Sequence, residues 1–328
     1  MADIELNDQL RRGLVSAWHE FLEALDPIRP DLYRYCRRLT GDIWDTEDLV
    51  QETLLRAFGH LSQVLYSIKH PRAYILRMAS NLWIDTVRRR VAEGDALALH
   101  AADPSNATAP ASSVAESIEL REAGTRLMLS LAPQERAVVV LRDVFDMSIE
   151  ETASILDTTP GAVKAALHRG RSRLRNANER GPRRPPPSAE LLDRFVERYR
   201  ARDLPGLLAL MSDTATIEMH GLETEIGRAG FERQRGWFHH NFYNPFDGSP
   251  STLRWQAVAF QEEPIVLVFD GLDDALVSVM RIEEQDGAVQ RIRVYALCPD
   301  TVAEVGAAFG YPVRTLGYRF PFNVSAQS

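Results

Sequence analysis

Cysteine and long apolar runs are scarce in this 328-residue sequence, and each scarcity argues against a class of protein. Only Cys36 and Cys298 occur, so a disulfide framework or a cysteine-type zinc site is not expected. No apolar run approaches the roughly 18 residues that a transmembrane helix needs. The first residues, MADIELNDQL, lack the basic start and apolar stretch of a secretory signal. These absences predict a protein of the reducing cytoplasm, without contact to a membrane.

Basic residues are fewer than acidic ones. The sequence has 38 Lys and Arg and 46 Asp and Glu, which gives a net charge of −8. The deficit is uneven along the chain. Residues 121–185 carry a net +4, residues 186–328 carry a net −7, and residues 91–120 hold acids but no base. A basic island between acidic neighbours indicates one segment suited to nucleic acid.

Apolar spacing from Leu10 to Val91 predicts packed amphipathic helices in a first domain, residues 1–92. Residues 116–177 are again predicted to be helical, within a second domain of residues 116–180. Between them, residues 93–115 are acidic and rich in Ala, Ser and Pro, which predicts a flexible linker. The proline-rich residues 181–188 predict a stiffer second linker, because successive prolines favour an extended backbone. The chain is therefore expected to hold several domains.

Residues 189–310 change character and predict an α+β domain, followed by an aromatic tail over residues 311–328. Two short helices, 189–202 and 204–211, are expected first. Asp286-Gly287 is a hairpin signal between the last two strands. The strands are predicted at 214–219, 253–260, 265–269, 275–282 and 289–297.

The basic island contains a helix-turn-helix pattern, SIEETASILDTTPGAVKAALHRGRSRLR (148–175). Ser148 and Glu151 form a capping box for a short first helix. Thr159 and Pro160 suit the start of a second helix. That helix has an apolar inner stripe and a basic outer stripe, which is the arrangement that enters a DNA major groove. On this segment alone, a solvated basic helix is the alternative.

Two strings precede this island: DIWDTEDLVQETLLRAFGHL (42–61) and HPRAYILRMASNLWIDTVRRR (70–90). Together they closely resemble the sigma-2 domain of extracytoplasmic-function RNA polymerase sigma factors. The helix-turn-helix resembles sigma-4 of the same family, at the spacing of members that lack sigma-3. The resemblance covers nearly all of residues 10–178. It implies a promoter-specificity subunit with two all-α domains.

In the family, the helix that matches residues 48–58 docks on the clamp helices of the polymerase β′ subunit. Leu49, Thr53 and Ala57 are expected to face inward. The acidic residues in the first turn have an additional possible role, which is to stabilise the dipole of their own helix. The resemblance implies core-polymerase binding by Asp48, Gln51, Glu52 and Leu55.

In family members, the helix that matches the second string, together with the loop before it, holds the non-template strand of the −10 element with one base extruded. Asn81 stands at the base-reading position, and the loop 62–68 stands where the family places its base-capture pocket. By its spacing, Trp83 could pack in the core or stack on DNA. Phosphate contacts are implied for Arg72, Arg77, Arg88, Arg89 and Arg90.

The family reads the −35 element through the second helix of sigma-4. Its G-x-V-[KR] pattern matches residues 161–164 of this chain. A polar residue often stands in the family where Ala165 stands here. The implied DNA-contacting positions are Lys164, Ala165, His168, Arg169 and Arg171.

Residues 187–221, PSAELLDRFVERYRARDLPGLLALMSDTATIEMHG, resemble the opening of SnoaL-like domains of the nuclear transport factor 2-like superfamily. These are cone-shaped α+β folds with a curved sheet around a pocket. One group of extracytoplasmic-function sigma factors carries such a domain in place of a separate anti-sigma protein. That group's D-G-G-G-K stretch is absent here, where residues 270–274 read DGLDD.

Three roles remain open for this domain: proton-transfer catalysis, ligand sensing, or interaction without a ligand. Polar pairs on alternate strand residues also suit a partly solvated sheet face. The tail after residue 310 could pack on its own domain or reach a sigma domain. Pocket candidates by position are Glu218, His220, Trp237, His239, Arg293 and Tyr295.

The sequence thus predicts a sigma factor rather than an enzyme, with no metal and no cofactor, because neither metal-ligand spacings nor a phosphate loop occur. The expected partners are core RNA polymerase through its β′ and β subunits, promoter DNA, and an intramolecular contact of the SnoaL-like domain with the sigma domains. A small-molecule ligand stays open. The alternative is a helix-turn-helix regulator with a ligand-sensing or enzymatic SnoaL-like domain.

Overall fold

A computed structural model describes residues 2–61, 68–92, 131–176, 187–220, 224–227, 231, 251–261, 263–315 and 317. The chain divides into two compact units, Met1–Arg184 and Pro185–Ser328. The first unit is helical and the second combines helices with a sheet. Within the described ranges, no helix has the length and apolar character that a membrane crossing requires.

The helical unit begins with a four-helix module: α1 (Ala2–Leu25), α2 (Arg29–Thr40), α3 (Ile43–Leu61) and α4 (Pro71–Ala92). Gly41 ends α2 in a left-handed conformation with φ 78°, which glycine adopts without strain. Asp42 then starts α3, since its carboxylate accepts hydrogen bonds from the backbone N–H groups of Trp44 and Asp45 at 2.8 and 2.9 Å. Pro71 opens α4, as the sequence predicts.

The core of this module contains large side chains from α2, α3 and α4. Tyr35 and Trp44 are almost fully buried. The Tyr35 hydroxyl lies 2.7 Å from the Ser80 hydroxyl, so its polar end is satisfied inside the core. Burial raises the pKa of Tyr35, and the phenol therefore stays neutral.

A second helical module comprises α5 (Pro133–Val139), a π-helical turn (Val140–Val144), α6 (Ile149–Ile155) and α7 (Pro160–Asn176). The predicted capping box is confirmed, with bonds between Ser148 and Glu151 in both directions. The hydrogen bond from the Ser148 backbone lowers the pKa of Glu151. Thr159 accepts a hydrogen bond from the N–H of Ala162 at 3.1 Å, which confirms the predicted start of α7. The helix-turn-helix is therefore formed as its sequence indicates.

The second unit starts with α8 (Ala189–Arg200) and α9 (Leu204–Ala209) and ends its regular structure with α10 (Pro299–Phe309). Between them lie six strands: β1 (Met211–Met219), β2 (Thr224–Ile226), β3 (Leu253–Phe260), β4 (Glu263–Asp270), β5 (Leu276–Gln285) and β6 (Ala288–Val294). The five predicted strands are confirmed with shifted ends, and β2 was not predicted. Asp286 and Gly287 form the β5–β6 turn with φ 53° and 78°.

The strands form one mixed sheet in the order β2-β1-β6-β5-β4-β3. The β1–β6 pair is parallel and the other neighbours are antiparallel. Side chains on alternate positions, such as Ile217, Met280 and Ile292, form a core with the apolar face of α8. Within this core, the rings of Tyr199 and Trp255 lie 4.8 Å apart. The prediction of an α+β domain is confirmed.

The chain after α10 returns to its own sheet. Leu276 at the start of β5 donates its N–H to the carbonyl of Pro312 at 2.8 Å and accepts from the N–H of Arg314 at 3.0 Å. The Arg314 guanidinium forms ion pairs with Asp270 and Asp273. Residues 311–314 are therefore part of the sheet unit. The aromatic residues from Tyr318 onward lie outside the described residues.

Candidate nucleic-acid interface

Helix α7 presents a narrow exposed stripe at the positions that the sequence assigns to DNA. Lys164, Ala165 and His168 are exposed, whereas Val163 and Leu167 on the opposite side are buried. The inner residues pack on α5 and α6, which fixes the rotation of the helix about its axis. A helix held this way offers a lysine, a methyl group and an imidazole to a groove.

Arg169, Arg171 and Arg173 of α7 are exposed as well, but each of them pairs with a carboxylate of its own module. Arg171 pairs with Asp143 through two hydrogen bonds of 3.1 and 2.5 Å. Arg169 and Arg173 both reach the carboxylate of Glu135, at 2.9 and 2.6 Å. The structure therefore gives Arg169 and Arg171, two predicted DNA contacts, partners inside their own module. Sequence spacing alone did not show these partners.

Glu135 has an environment that accounts for its two arginines. Its side chain is only 5% exposed, and a carboxylate taken out of water needs charged or hydrogen-bonded partners. The two guanidinium groups supply them from successive turns of α7. Gly170 lies between these turns at the α5 contact, where a Cβ atom would come 2.8 Å from a methyl group of Val139. The pair of helices is thus fixed by close approach and by charge.

Helix α4 exposes Asn81, the predicted base-reading residue, together with Arg88 and Arg89. Arg90 lies 3.5 Å from Asp45 of α3. These groups lie on an accessible part of the four-helix module, as a strand-binding face requires. Their assignment to the −10 element stays a prediction.

The other two −10 candidates have partners in the structure. Arg72 pairs with Asp31 at 2.6 Å, and its guanidinium lies 5.7 Å from the ring centre of Phe145. Arg77 pairs with Asp157 of the helix-turn-helix at 3.2 Å. Arg77 therefore contacts the second helical module, and Arg72 lies beside it.

Trp83 lies at the contact between the two helical modules and is 6% exposed. The guanidinium of Arg136, from α5, lies over its indole at 5.1 Å from the ring centre. Arg136 also donates a 2.6 Å hydrogen bond to the carbonyl of Leu39 at the end of α2. Burial lowers the pKa of Arg136 to about 9, so the group keeps its charge at neutral pH. Of the two roles open for Trp83, the buried one is observed.

The predicted polymerase-docking residues divide between surface and core. Glu52 and Leu55 are exposed, Leu55 by 51%, and Asp48 is half-buried on the same stripe of α3. Gln51 is 5% exposed, and its amide donates to the buried Glu47 carboxylate at 3.0 Å. The structure therefore places Gln51 inside the module, and its part in docking stays a prediction.

The inward side of α3 follows the prediction. Leu49, Thr53 and Ala57 are buried, and the Thr53 hydroxyl donates to the carbonyl of Leu49 at 2.6 Å. The exposed stripe and the buried stripe of this helix are thus distinct, apart from Gln51.

In the sheet unit, four described pocket candidates lie on the sheet face opposite the α8 core. Glu218 pairs with Arg291 and Arg293 at 3.2 and 3.3 Å, and both arginines also reach Glu283 at 3.6 Å. The His220 and Tyr295 rings stack at 4.8 Å. Glu218 therefore belongs to a half-exposed ion-pair ladder across strands.

Several predicted features lie outside the described residues. They are the linker 93–115, most of the linker 181–188, all but Ile68 of the loop 62–68, and the pocket candidates Trp237 and His239. These features stay predictions.

Two sequence families match the chain at the sites just described. Sigma-70 region 2 matches residues 25–93, which include α3 and α4 with the exposed Asn81. Sigma-70, region 4, matches residues 122–174, which include the helix-turn-helix. The chain is also 34% identical over 164 residues to the RNA polymerase sigma-E factor of Streptomyces avermitilis, covering 49% of this chain and 86% of that protein. The chain belongs to the RNA polymerase sigma factors.

Relatives of the extracytoplasmic-function (ECF) kind cover more of this sigma factor. It is 30% identical over 227 residues to the ECF RNA polymerase sigma factor SigG of Mycobacterium tuberculosis, covering 61% of each chain. It is 26% identical over 283 residues to the probable ECF RNA polymerase sigma factor SigI of the same species, covering 83% of this chain and 91% of that protein. The chain thus spans under two thirds of SigG, and the SigI match extends into the sheet unit.

The packing of α7 on α5 yields a stability prediction. We expect Gly170→Ala to destabilise the helical unit by about 1–3 kcal/mol, because the added methyl overlaps Val139. The matched control is Gly161→Ala in the first turn of α7, where the nearest atom to an added Cβ lies 3.9 Å away. Urea unfolding of both variants measures the difference. Equal midpoints would show that the close approach carries no energetic weight.

Proposed function

We propose that this chain directs promoter-specific transcription initiation as a subunit of RNA polymerase. The four-helix module then acts as sigma-2 at the −10 element, and the helix-turn-helix module acts as sigma-4 at the −35 element. The observation that carries the proposal is the coincidence of both sigma-70 family matches with exposed groups at the expected positions, Asn81 on α4 and Lys164 on α7. A repressor with a helix-turn-helix needs no sigma-2 module.

The docking surface for core polymerase is proposed to be the α3 stripe of Asp48, Glu52 and Leu55. The residues are spaced by four and three, so they lie along one side of the helix. Leu55 supplies exposed apolar area beside the acidic groups, and Glu52 pairs with Arg56 at 2.6 Å. An apolar residue flanked by charge is suited to a helix-on-helix contact with a basic partner.

Substitution on this stripe tests core binding. We expect Glu52→Lys combined with Leu55→Asp to weaken binding to core polymerase by tenfold or more, because an interface residue at a contact centre is worth about 1–2 kcal/mol or more. The matched control combines Glu190→Lys and Leu272→Asp, which change an exposed acid and an exposed leucine in the sheet unit. Affinity is measured by titration of core polymerase with labelled protein. If both double variants bind like the wild type, α3 is not the docking surface.

Base reading is proposed for the exposed groups rather than for all the basic residues. Lys164 and His168 stand free of ion pairs among the described residues, whereas Arg169 and Arg171 are engaged with carboxylates. This difference supports Lys164 and His168 as the candidates for base reading. Arg169 and Arg171 are proposed to support α7 first and to contact phosphates second.

The ranking has a measurable outcome. Lys164→Ala is expected to reduce affinity for the −35 element by about ten- to hundred-fold if it reads a base, since a base-edge contact is worth about 1–3 kcal/mol. A phosphate contact would instead weaken binding to all DNA sequences alike and reduce the slope of log affinity against log salt concentration by about 1.

A second substitution tests the −10 assignment. Asn81→Ala is expected to slow opening of the DNA duplex at the −10 element. Arg194→Ala, an exposed charge change on α8, is the control. Wild-type footprints and opening rates in both variants would contradict the assignments.

For the sheet unit we propose a SnoaL-like module that modulates the sigma domains in cis. The mixed sheet with helices supports the architecture, and the net −7 of residues 186–328 beside the basic island supports a regulatory role. The pairing of Glu218 with Arg291 and Arg293 favours an interaction module over proton-transfer catalysis, since both of its carboxylate oxygens already contact guanidinium groups.

Truncation of the chain tests whether the sheet unit has a regulatory role, and the structure indicates at which residues the chain should end. A chain ending at Thr315 keeps Tyr311 and Arg314 on their own unit, whereas a cut after Gly310 removes them and unsettles the sheet. We expect removal of everything after Gly181 to change the promoter-dependent transcription rate by roughly 5–150-fold, the range of a coupling of about 1–3 kcal/mol. The chain cut after Thr315 is the control for a folded sheet unit. Equal rates for full-length protein and the Gly181 truncation would leave the sheet unit without a regulatory role.

A further inference from the structure

Two buried polar atoms of the sheet unit have no hydrogen-bond partner among the described residues: the indole nitrogen of Trp255 and the hydroxyl oxygen of Ser278. The two residues are 2% and 5% exposed. An unpaired buried donor costs free energy that a phenylalanine or an alanine at the same position would not cost. Most buried polar groups in folded proteins are paired, so these two donors call for a physical reason.

The two donors lie on one face of the sheet, in nearby strands. Trp255 of β3 is directly opposite Val268 of β4, and Val268 is directly opposite Ser278 of β5. Directly opposite residues project to the same side, with Cβ atoms about 5 Å apart. Val268 belongs to the core beneath α8, and so does Met280, two residues after Ser278. Both donors therefore point into the α8 core, on the opposite side of the sheet from Glu218.

The ladder between β4 and β5 is irregular beside Ser278. Val268 pairs with Ser278, but the next residue, Phe269, pairs with Leu276, so Val277 is the extra residue of a bulge. A β-bulge bends its strand locally and is over-represented next to active sites. The strand thus departs from regular pairing at the point where it carries a hydroxyl into an apolar core.

An aromatic ring from α8 adjoins the donors. The ring of Tyr199 lies 4.8 Å from that of Trp255, at an interplanar angle of 32°. Burial and the nearby Glu225 carboxylate raise the pKa of Tyr199, so its phenol stays neutral. Trp255 and Glu225 belong to the two edge strands, β3 and β2, so both edges of the sheet approach this one tyrosine. The sheet therefore curves around the face that carries the unpaired donors.

The composition of this core selects the kind of molecule that can pair with the donors. Among the described residues of the sheet unit, the buried polar or charged side chains are Glu225, Ser278 and Thr301, and none of them is basic. A carboxylate or a phosphate would therefore find no counter-charge here. The surrounding side chains are apolar or aromatic, and an indole N–H can only donate. A neutral, largely apolar molecule with one carbonyl oxygen meets these conditions, because a carbonyl oxygen accepts two hydrogen bonds.

We propose that the α8 face of the sheet binds a small neutral carbonyl compound, whose oxygen accepts hydrogen bonds from Trp255 and Ser278 and whose apolar body packs on Tyr199. This site is distinct from the pocket candidates Glu218 and His220, which lie on the other face of the sheet. The inference concerns the sheet unit alone and goes beyond promoter recognition by the helical unit.

The test measures the binding of two probes of nearly equal shape to the full-length protein. The first probe, para-fluoroacetophenone, carries a carbonyl acceptor, and the second, para-fluoroethylbenzene, has a methylene group in its place. Fluorine NMR line widths give the dissociation constant of each probe. The ketone preference is the ratio of the two constants, so a change in packing that affects both probes alike cancels.

The variants remove the donors one at a time. Ser278→Ala and Trp255→Phe are each expected to reduce the ketone preference by about three- to tenfold, the worth of one neutral hydrogen bond. The matched controls are Ser188→Ala, at the N-cap of α8, and Trp18→Phe, in the helical unit. Both controls are expected to keep the wild-type preference.

The stability of the free protein gives an independent readout. Because the Ser278 hydroxyl has no hydrogen-bond partner within the described parts of the chain, Ser278→Ala is expected to leave the urea midpoint unchanged or to raise it. Ser188 accepts a hydrogen bond from the N–H of Leu191 at 3.3 Å, so Ser188→Ala is expected to lower the midpoint. The proposal thus predicts a variant that loses ketone preference without losing stability, which a merely structural hydroxyl would not give.

Three results would overturn the proposal: no saturable binding of the ketone, an equal ketone preference in the wild type and the donor variants, or a fall in the urea midpoint for Ser278→Ala as large as that for Ser188→Ala. The last result would show that an internal water or the chain itself already satisfies the hydroxyl. If Trp255→Phe does not fold, Ser278→Ala and the two probes decide the question. A chain that failed to bind core polymerase would still give the expected probe binding.

Discussion

A single buried guanidinium, that of Arg136, decides how the helical unit is put together. A charge removed from water must be satisfied by nearby dipoles, and here the carbonyls of Leu39 and Leu131 and the face of Trp83 serve this purpose. Because these groups belong to two modules, the charge has its full set of partners only when the modules are in contact. Trp83 lies in the interior at the same contact.

The neighbouring Glu135 shows the opposite arrangement of charge. Its buried carboxylate pairs with Arg169 and Arg173 of α7, so this helix is anchored through its own basic residues. The net +4 of residues 121–185 therefore overstates the positive charge that is free for DNA. The exposed polar groups of α7 that have no ion pair among the described residues are Lys164 and His168, with Ala165 between them. Free basic surface and helix positioning are thus divided between different side chains of one helix.

Local features of this chain could be predicted from sequence, and features that join distant segments could not. The capping box of Ser148 and Glu151 spans only four residues, so the sequence pattern is enough to predict its hydrogen bonds. The partners of Arg171 and Arg77 lie 28 and 80 positions away, in segments whose approach depends on the whole fold. Helix spacing puts Gln51 beside the exposed stripe, yet the side chain is buried and donates to the buried Glu47, a contact that spacing does not reveal. Strand β2 was missed because three residues carry too little periodicity.

The return of residues 311–314 to the start of β5, together with the parallel pairing of β1 with β6, has a consequence for synthesis of the protein. Parallel pairing joins Met211 to Val289, and the final bridge joins Leu276 to Val313, so the sheet unit depends on contacts that form late. The helical unit comprises residues up to 184. At ~5–20 residues per second, translation from there to Arg314 takes on the order of 10 s. During each round of synthesis, a folded helical unit therefore exists for some seconds before its sheet unit can be complete.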